Sequence, residues 1–171
     1  YRRNEMPNWC ENSIVVKHED PNIIEKFVNA FNEDILCQAF RPEPDKLTHA
    51  DPKYITDEQR DWRSENWGVK WDFGCGDGNQ FSIEDSGTTE ISIYFTTPWA
   101  PPLKLYEHMT DELGFDIQAV YWEEGMGILG KWSSDGDDEQ IELPQTTDEL
   151  EELRTSYPQI IDYLEEYVDN L

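Results

Sequence analysis

The fold prediction starts from one stretch of the sequence, Glu65-Asn66-Trp67-Gly68-Val69-Lys70-Trp71-Asp72-Phe73. Four large apolar side chains in it, those of Trp67, Val69, Trp71 and Phe73, alternate with glycine or polar residues. Period-two alternation is typical of a strand that buries one face, and aromatic side chains favour strands. We therefore interpret this stretch as a central strand and the remaining elements as its cover.

The residues before this stretch predict a strand, a helix and an insertion. Asn12–Lys17 is a short β-branched run that predicts a strand. Asp20 as N-cap and Pro21 at the first helical position predict a helix ending near Asn32. Prolines interrupt the following insertion at 35–63, where Thr56 with Gln59 predicts one short capped helix over Thr56–Ser64.

The residues after it predict more strands and three helical segments. The predicted strands are Gln80–Glu84, Glu90–Thr96, Ile117–Glu123 and its hairpin partner Ile128–Ser133. A helix with Leu103, Tyr106, Met109 and Leu113 on its apolar stripe ends at Gly114, a typical C′ residue. Asp135–Glu139 reads as an acidic loop, Thr147 as the cap of a helical segment, and Tyr157–Val168 as a last amphipathic helix.

The order of the first six elements predicts a ferredoxin-like α+β sandwich, with an antiparallel sheet and helices packed on one face. An extra hairpin strand and a C-terminal helix follow it. With Met6 taken as the natural start, residues 6–134 form the predicted ferredoxin-like domain, including the insertion at 35–63. Residues 135–171 form an acidic helical extension packed on it.

The charge of the chain restricts its partners. It has 171 residues, of which 38 are Asp or Glu and 13 are Lys or Arg, so its formal net charge is −25. Such a chain repels nucleic-acid phosphates and anionic lipid, which disfavours direct nucleic-acid binding. No apolar run is long enough for a membrane span. Three cysteines without a CxxC spacing favour a reducing cytoplasm.

Four sequence blocks resemble those of the YubB ferredoxin-like family, which bacteriophages and conjugative plasmids carry. The blocks are Met6-Pro7-Asn8-Trp9-Cys10-Glu11-Asn12, Glu65 to Asp72, Phe95 to Pro102, and Tyr121 to Gly127. The resemblance runs from about Met6 to Trp132. It implies a ferredoxin-like fold and a mobile-element context. Together with the cysteine usage, this predicts a location in the cytoplasm of a bacterial host cell. It implies no settled activity and supplies no catalytic residues.

Candidate metal, phosphate and catalytic sites are weak in this sequence. Cys10, Cys37 and Cys75, with the three histidines, lack the paired spacing of a structural zinc site. The glycine-rich segment 74–78 lacks the Lys-Ser/Thr of a phosphate-binding loop, and the acidic residues lack EF-hand spacing. We therefore predict no enzyme, no metal and no cofactor.

The C-terminal portion is the strongest candidate for a functional surface. Only one basic residue, Arg154, occurs after residue 134. Carboxylates held on a folded scaffold could imitate the regular negative charge of a nucleic-acid duplex; the alternative is a solvated helix face. The predicted partner-binding residues are Asp135, Asp137, Asp138, Glu139, Glu142, Asp148, Glu149, Glu151, Glu152, Asp162, Glu165 and Glu166.

Three further polar residues, Asn66, Lys70 and Asp72, lie within the second resembling block; they either hold turns, pair with each other, or have a function. The leading hypothesis for the whole chain is a non-enzymatic inhibitor. It would bind a basic, nucleic-acid-binding host defence protein, such as a CRISPR effector or a restriction enzyme, and occlude its DNA or RNA site. The alternatives are a small carboxylate-based, metal-dependent enzyme and a structural, self-associating accessory protein. The sequence leaves the oligomeric state open.

Overall fold

The computed structural model describes residues 8–47, 55–75 and 81–171, without the side chains of 81–86. The predicted start at Met6, part of the 35–63 insertion with His49, and most of the glycine-rich turn after Gly74 lie outside these residues. The strands are β1 Trp9–Lys17, β2 Phe81–Ser86, β3 Glu90–Pro98, β4 Asp116–Glu123, β5 Ile128–Ser133 and β6 Asp138–Glu142. The helices are α1 Pro21–Asn32, α2 Leu36–Phe40, α3 Asp57–Asn66, α4 Leu103–Leu113, α5 Thr147–Leu153 and α6 Ile161–Asp169, with 3₁₀ turns at Asp45–Leu47 and Pro158–Ile160.

The described strands form one sheet in the order β2-β3-β1-β4-β5-β6. All neighbouring pairs are antiparallel. The order of β1, α1, β2, β3, α4 and β4 confirms the predicted ferredoxin-like arrangement. The sheet then continues through the predicted hairpin partner, β5, and gains a sixth strand, β6. The loop predicted over Asp135–Glu139 is therefore wrong in its second half, because Asp138 and Glu139 belong to β6.

Two apolar clusters lie on opposite faces of the sheet, because successive strand side chains alternate in direction. In β4, Ile117 and Ala119 pack with α1 and α4 in one cluster. Val120 and Trp122 pack with α5 and α6 in the other. The four N-terminal helices therefore cover one face, and the C-terminal helices cover part of the opposite face.

The stretch from Trp67 to Phe73, predicted as a central strand, is not a strand. Helix α3 continues to Asn66, and the chain then turns at Gly68, whose φ is +82°. Trp67, Val69 and Phe73 are nevertheless buried, while Trp71 is half-buried. A loop wrapped against the core produces the same alternation of buried side chains without strand pairing. The backbone approaches α4 instead, where the Leu105 N–H donates to the Trp67 carbonyl over 3.3 Å.

Several predicted helix ends are confirmed. Asp20 accepts a hydrogen bond from the Asn22 N–H and begins α1. Thr56 and Gln59 form the predicted capping box of α3, and Gly114 ends α4 in the left-handed conformation. The cap of α5 is Thr146 rather than Thr147, because the Thr146 hydroxyl accepts the Glu149 N–H.

We expect Gly130→Val to destabilise the sheet. A Cβ at Gly130 would lie 2.2 Å from the Tyr121 ring, and Tyr121 is itself buried, with only 1% of its surface exposed. Overpacking of this kind costs about 2–3 kcal/mol, which lowers Tm by roughly 5–10 °C for a chain of this size. The decrease in Tm is measured by thermal unfolding. Gly87→Val is the matched control, since its Cβ would meet its nearest neighbour at 3.4 Å; equal losses in both would contradict the packing argument.

Candidate acidic surface

The predicted acidic residues lie on β6, its preceding turn, α5 and α6. All twelve are exposed except Glu165, which is half-buried. Leu150 and Leu164 point into the cluster beneath α5 and α6, so the carboxylates of both helices face outward. Two short amphipathic helices over an apolar patch therefore display their acidic faces on one side of the molecule.

Strand alternation divides the acidic residues of β6. Glu139 pairs in register with Lys131, and their side chains form an ion pair at 3.4 Å on the face that α5 and α6 cover. Asp138 points to the other face, where burial and then the charge of Asp138 raise the pKa of Tyr121 to about 12. Glu142 shares the face of Asp138 by alternation. The acidic surface consequently wraps around the β6 edge instead of occupying one face.

Only two cations of the described residues lie against this surface. Arg154 joins the two helices, with its guanidinium 2.5 Å from Glu151 and 2.6 Å from Glu165. Lys131 approaches Glu139 and the Tyr157 ring. The Tyr157 hydroxyl donates to Glu139 over 3.4 Å, and burial followed by that carboxylate raises the pKa of Tyr157. Most of the acidic side chains form no ion pair with a Lys or Arg of the described residues, in particular Asp148, Glu152, Asp162 and Glu166.

A comparison of the sequence with models of protein families shows which family the chain belongs to. The family model described as the ferredoxin-like domain in Api92-like protein matches residues 70–159, more than half of the chain. The chain belongs to the Api92-like family. The match continues past Trp132 through β6 and α5. It does not identify the YubB family, so that resemblance stays a prediction.

This Api92-like chain was also compared with solved structures and with curated proteins. The crystal structure of the protein Api92 from Yersinia pseudotuberculosis is similar at a TM-score of 0.48 and 10% sequence identity. The alignment covers 82% of this chain and 99% of that one. No curated protein matches this chain.

Two polar residues of the loop at 67–73, namely Lys70 and Asp72, make contacts within the fold of this Api92-like chain. The Asp72 carboxylate accepts the N–H groups of Cys37, Gln38 and Phe73 at 2.7–2.9 Å and so fixes the start of α2. Burial raises its pKa against the effect of those hydrogen bonds. The Lys70 ammonium lies 4.1 Å from the centre of the Trp99 ring. Both side chains therefore have partners within the fold.

Asn66 closes the end of helix α3 in a similar way. Its side-chain amide donates to the Trp62 carbonyl over 2.9 Å, and its own carbonyl accepts from Arg41 over 2.8 Å. The geometry thus accounts for Asn66, Lys70 and Asp72 as supports of one loop.

The cysteines do not form a ligand set in the described part of the chain. Burial raises the pKa of the Cys10 and Cys37 thiols, which makes both poor nucleophiles and poor metal ligands. Among residues 8–47, 55–75 and 81–171, no three histidine, cysteine or acidic side chains stand close enough to hold a metal ion. None of the described helices has the length and apolar character that a membrane span requires.

One cluster was missed by the sequence analysis. Glu11 of β1 lies beside Thr96 of β3 and Trp122 of β4 in the strand register. Tyr163 of α6 packs on Trp122 with ring centres 4.8 Å apart. These residues are far apart in sequence, so only the register of the three strands and the position of α6 bring them together.

Proposed function

We propose that this Api92-like chain binds a basic protein whose own ligand is DNA or RNA and that it occludes the nucleic-acid site. The observation that carries the proposal is the acidic surface of α5 and α6, whose outward carboxylates have Arg154 as their basic neighbour. A surface of this charge attracts Lys and Arg clusters, and such clusters are the usual binding sites for phosphates.

The rigid scaffold supports competition with a nucleic acid. Phosphates of a duplex place one negative charge about every ~1.7 Å along the axis. Carboxylates on two packed helices and a strand edge are attached to folded backbone, so the partner meets them without ordering a flexible tail first. Association of this kind is fast and sensitive to salt.

The resemblance of four sequence blocks to the YubB family supports the more specific part of the proposal. A protein carried by a phage or plasmid meets bacterial defence systems that bind nucleic acid. We therefore propose that the partner is a CRISPR effector or a restriction enzyme. The proposed location is the bacterial cytoplasm.

Neutralising four outward carboxylates tests the proposed surface. The variant carries one amide at each of four exposed positions of α5 and α6, namely Asp148→Asn, Glu152→Gln, Asp162→Asn and Glu166→Gln. Partners captured from a host extract at 50 mM salt are purified, and their affinity for this chain and for a labelled duplex is measured by fluorescence anisotropy. We expect the chain to displace the duplex and the variant to bind about tenfold more weakly.

The matched control removes the same number of charges from the helices on the opposite face. It carries Glu25→Gln, Glu33→Gln, Asp111→Asn and Glu112→Gln, all at exposed positions of α1, α4 and their ends. The control should bind as the natural sequence does. A partner that is retained equally by both variants, or whose affinity ignores salt between 50 and 500 mM, would overturn the proposal.

No contact among the described residues favours the metal-dependent enzyme or the self-associating accessory protein. Both remain alternatives. Titration with Mg²⁺, Mn²⁺ or Ca²⁺ in a thermal-shift measurement addresses the first, and the solution mass addresses the second.

A further inference from the structure

A cluster of aromatic rings and carboxylates lies where α6 meets β1, β3 and β4. We call it the carboxylate–aromatic notch and define it by Glu11, Tyr94, Trp122, Glu124 and Tyr163. Thr96, Glu11 and Trp122 lie side by side across three strands, because Glu11 pairs in register with both of the others. Residues directly opposite in antiparallel strands point to the same face, here the face that α6 covers.

The aromatic side of the notch consists of three tilted rings. Trp122 lies between Tyr94, with ring centres 6.2 Å apart, and Tyr163, at 4.8 Å. Trp122 is buried, whereas both tyrosines are half-buried and keep part of their rings at the surface. Exposed faces of such rings attract cations through the negative side of their quadrupole.

Two carboxylates flank these rings, and each accepts one tyrosine hydroxyl. The Tyr94 hydroxyl donates to Glu11, and the Tyr163 hydroxyl donates to Glu124 over 2.5 Å. Burial raises the pKa of Glu11, and the negative charge of Glu124 raises it further. Within the described ranges neither carboxylate forms an ion pair with a Lys or Arg side chain. Among the described residues, the notch therefore holds two interacting carboxylates that no Lys or Arg side chain pairs with.

One buried hydroxyl of the same strands is unsatisfied. Thr96 is 4% exposed, and its hydroxyl makes no hydrogen bond with a described residue. Buried polar atoms are rarely left without a partner in folded proteins. Thr96 pairs with Glu11 in the strand register, so its hydroxyl marks the floor of the notch as a place where a ligand N–H completes the hydrogen bonding.

We propose that the carboxylate–aromatic notch receives an arginine side chain of the basic partner. A guanidinium is planar, so it stacks on the tyrosine rings while its fork of N–H groups donates to both carboxylates. The Thr96 hydroxyl can accept a further N–H. A lysine ammonium is a compact, strongly hydrated charge that cannot stack in this way. That the partner is a basic protein rests on the proposed function. The notch adds the position on this chain where one arginine of that partner binds.

Short peptides test the notch on the full chain without the partner. The probes are acetyl-Gly-Arg-Gly-amide, the same peptide with lysine, and the same peptide with citrulline, which has the shape of arginine but no charge. The readout is the NMR signal of the Trp122 indole N–H, assigned by its loss in Trp122→Phe. We expect saturable shifts with the arginine peptide at a Kd on the order of 1 mM and at least tenfold weaker binding of the other two.

Two double variants separate the notch from general charge effects. Glu11→Gln with Glu124→Gln removes both notch charges and keeps acceptors for the tyrosine hydroxyls, so it should fold and lose at least about tenfold in affinity for the arginine peptide. Glu19→Gln with Glu112→Gln removes two exposed charges elsewhere and should bind as the natural chain does. Equal binding of arginine and lysine peptides, or retained binding in the notch variant, would refute the arginine notch.

The neutralised α5–α6 variant distinguishes this inference from the proposed function. It leaves the notch residues intact, so it should bind the arginine peptide with unchanged affinity even though it loses the protein partner. Failure of the peptide titration alone overturns the notch and leaves the acidic surface standing. Failure of the partner experiments alone overturns the acidic surface.

Discussion

Trp67→Ala is expected to lower the free energy of unfolding by about 4 kcal/mol, as large-to-small changes of buried aromatic residues do. Only 1% of the Trp67 surface is exposed. Its indole N–H donates to the Arg41 carbonyl over 2.8 Å, and its ring meets Trp62 edge-on at 5.7 Å. The substitution thus removes packing volume and leaves the partly buried Arg41 carbonyl without its donor. Tm should fall by about 10 °C or more.

Trp71→Ala is the matched control for this prediction, since it removes the same side chain from the same loop. Trp71 is half-buried and packs edge-on against Trp99 at 5.2 Å. Its replacement should cost about half as much or less in thermal unfolding. Equal losses at the two positions would show that depth of burial does not set the contribution of this loop.

Asp72→Ala is expected to cost about 3 kcal/mol, because three N–H groups lose a carboxylate acceptor together. Two of them, at Cys37 and Gln38, begin α2, where no helical carbonyl can replace it. Tm should fall by about 6–12 °C. Hydrogen exchange of the Cys37 and Gln38 amides, measured by NMR, should accelerate more than that of the sheet.

Asp72→Asn controls for the loss of the side chain itself. It keeps one acceptor oxygen and brings an NH₂ group towards N–H donors, so it should cost about half of the alanine effect. If asparagine and alanine destabilised equally, the charge of the carboxylate would carry the whole effect. If neither changed the exchange of the α2 amides, Asp72 would not hold α2.

The Trp67 stretch shows where sequence patterns stop being sufficient. Alternation of Trp67, Val69 and Phe73 reports which side chains are buried, and that part of the prediction is correct. It does not report where the backbone hydrogen bonds go. Gly68, in the left-handed conformation and within 3.2 Å of the Leu103 backbone at its missing Cβ, ends any extended run. The glycine was the available signal against a strand.

Local chemistry was predictable because its partners are close in sequence. The Thr56–Gln59 capping box and the Gly114 helix end depend on residues within five positions of each other. The notch depends on Glu11, Tyr94 and Trp122, which only the strand register brings together. Similarly, the acidic composition of 135–171 was plain from the sequence, but its division at β6 follows from a strand that was predicted as a loop.

The outermost strand also limits how copies of this chain meet each other. β6 borders the sheet, and an unprotected border of this kind templates strand addition by another chain. Negative side chains project from both sides of β6, at Asp138, Glu139 and Glu142. A second copy laid along this strand would oppose carboxylate to carboxylate, which is unfavourable for directly facing residues. Pairing of two copies along β6 is therefore disfavoured, and a segment with lysine or arginine facing these carboxylates would pair there more favourably.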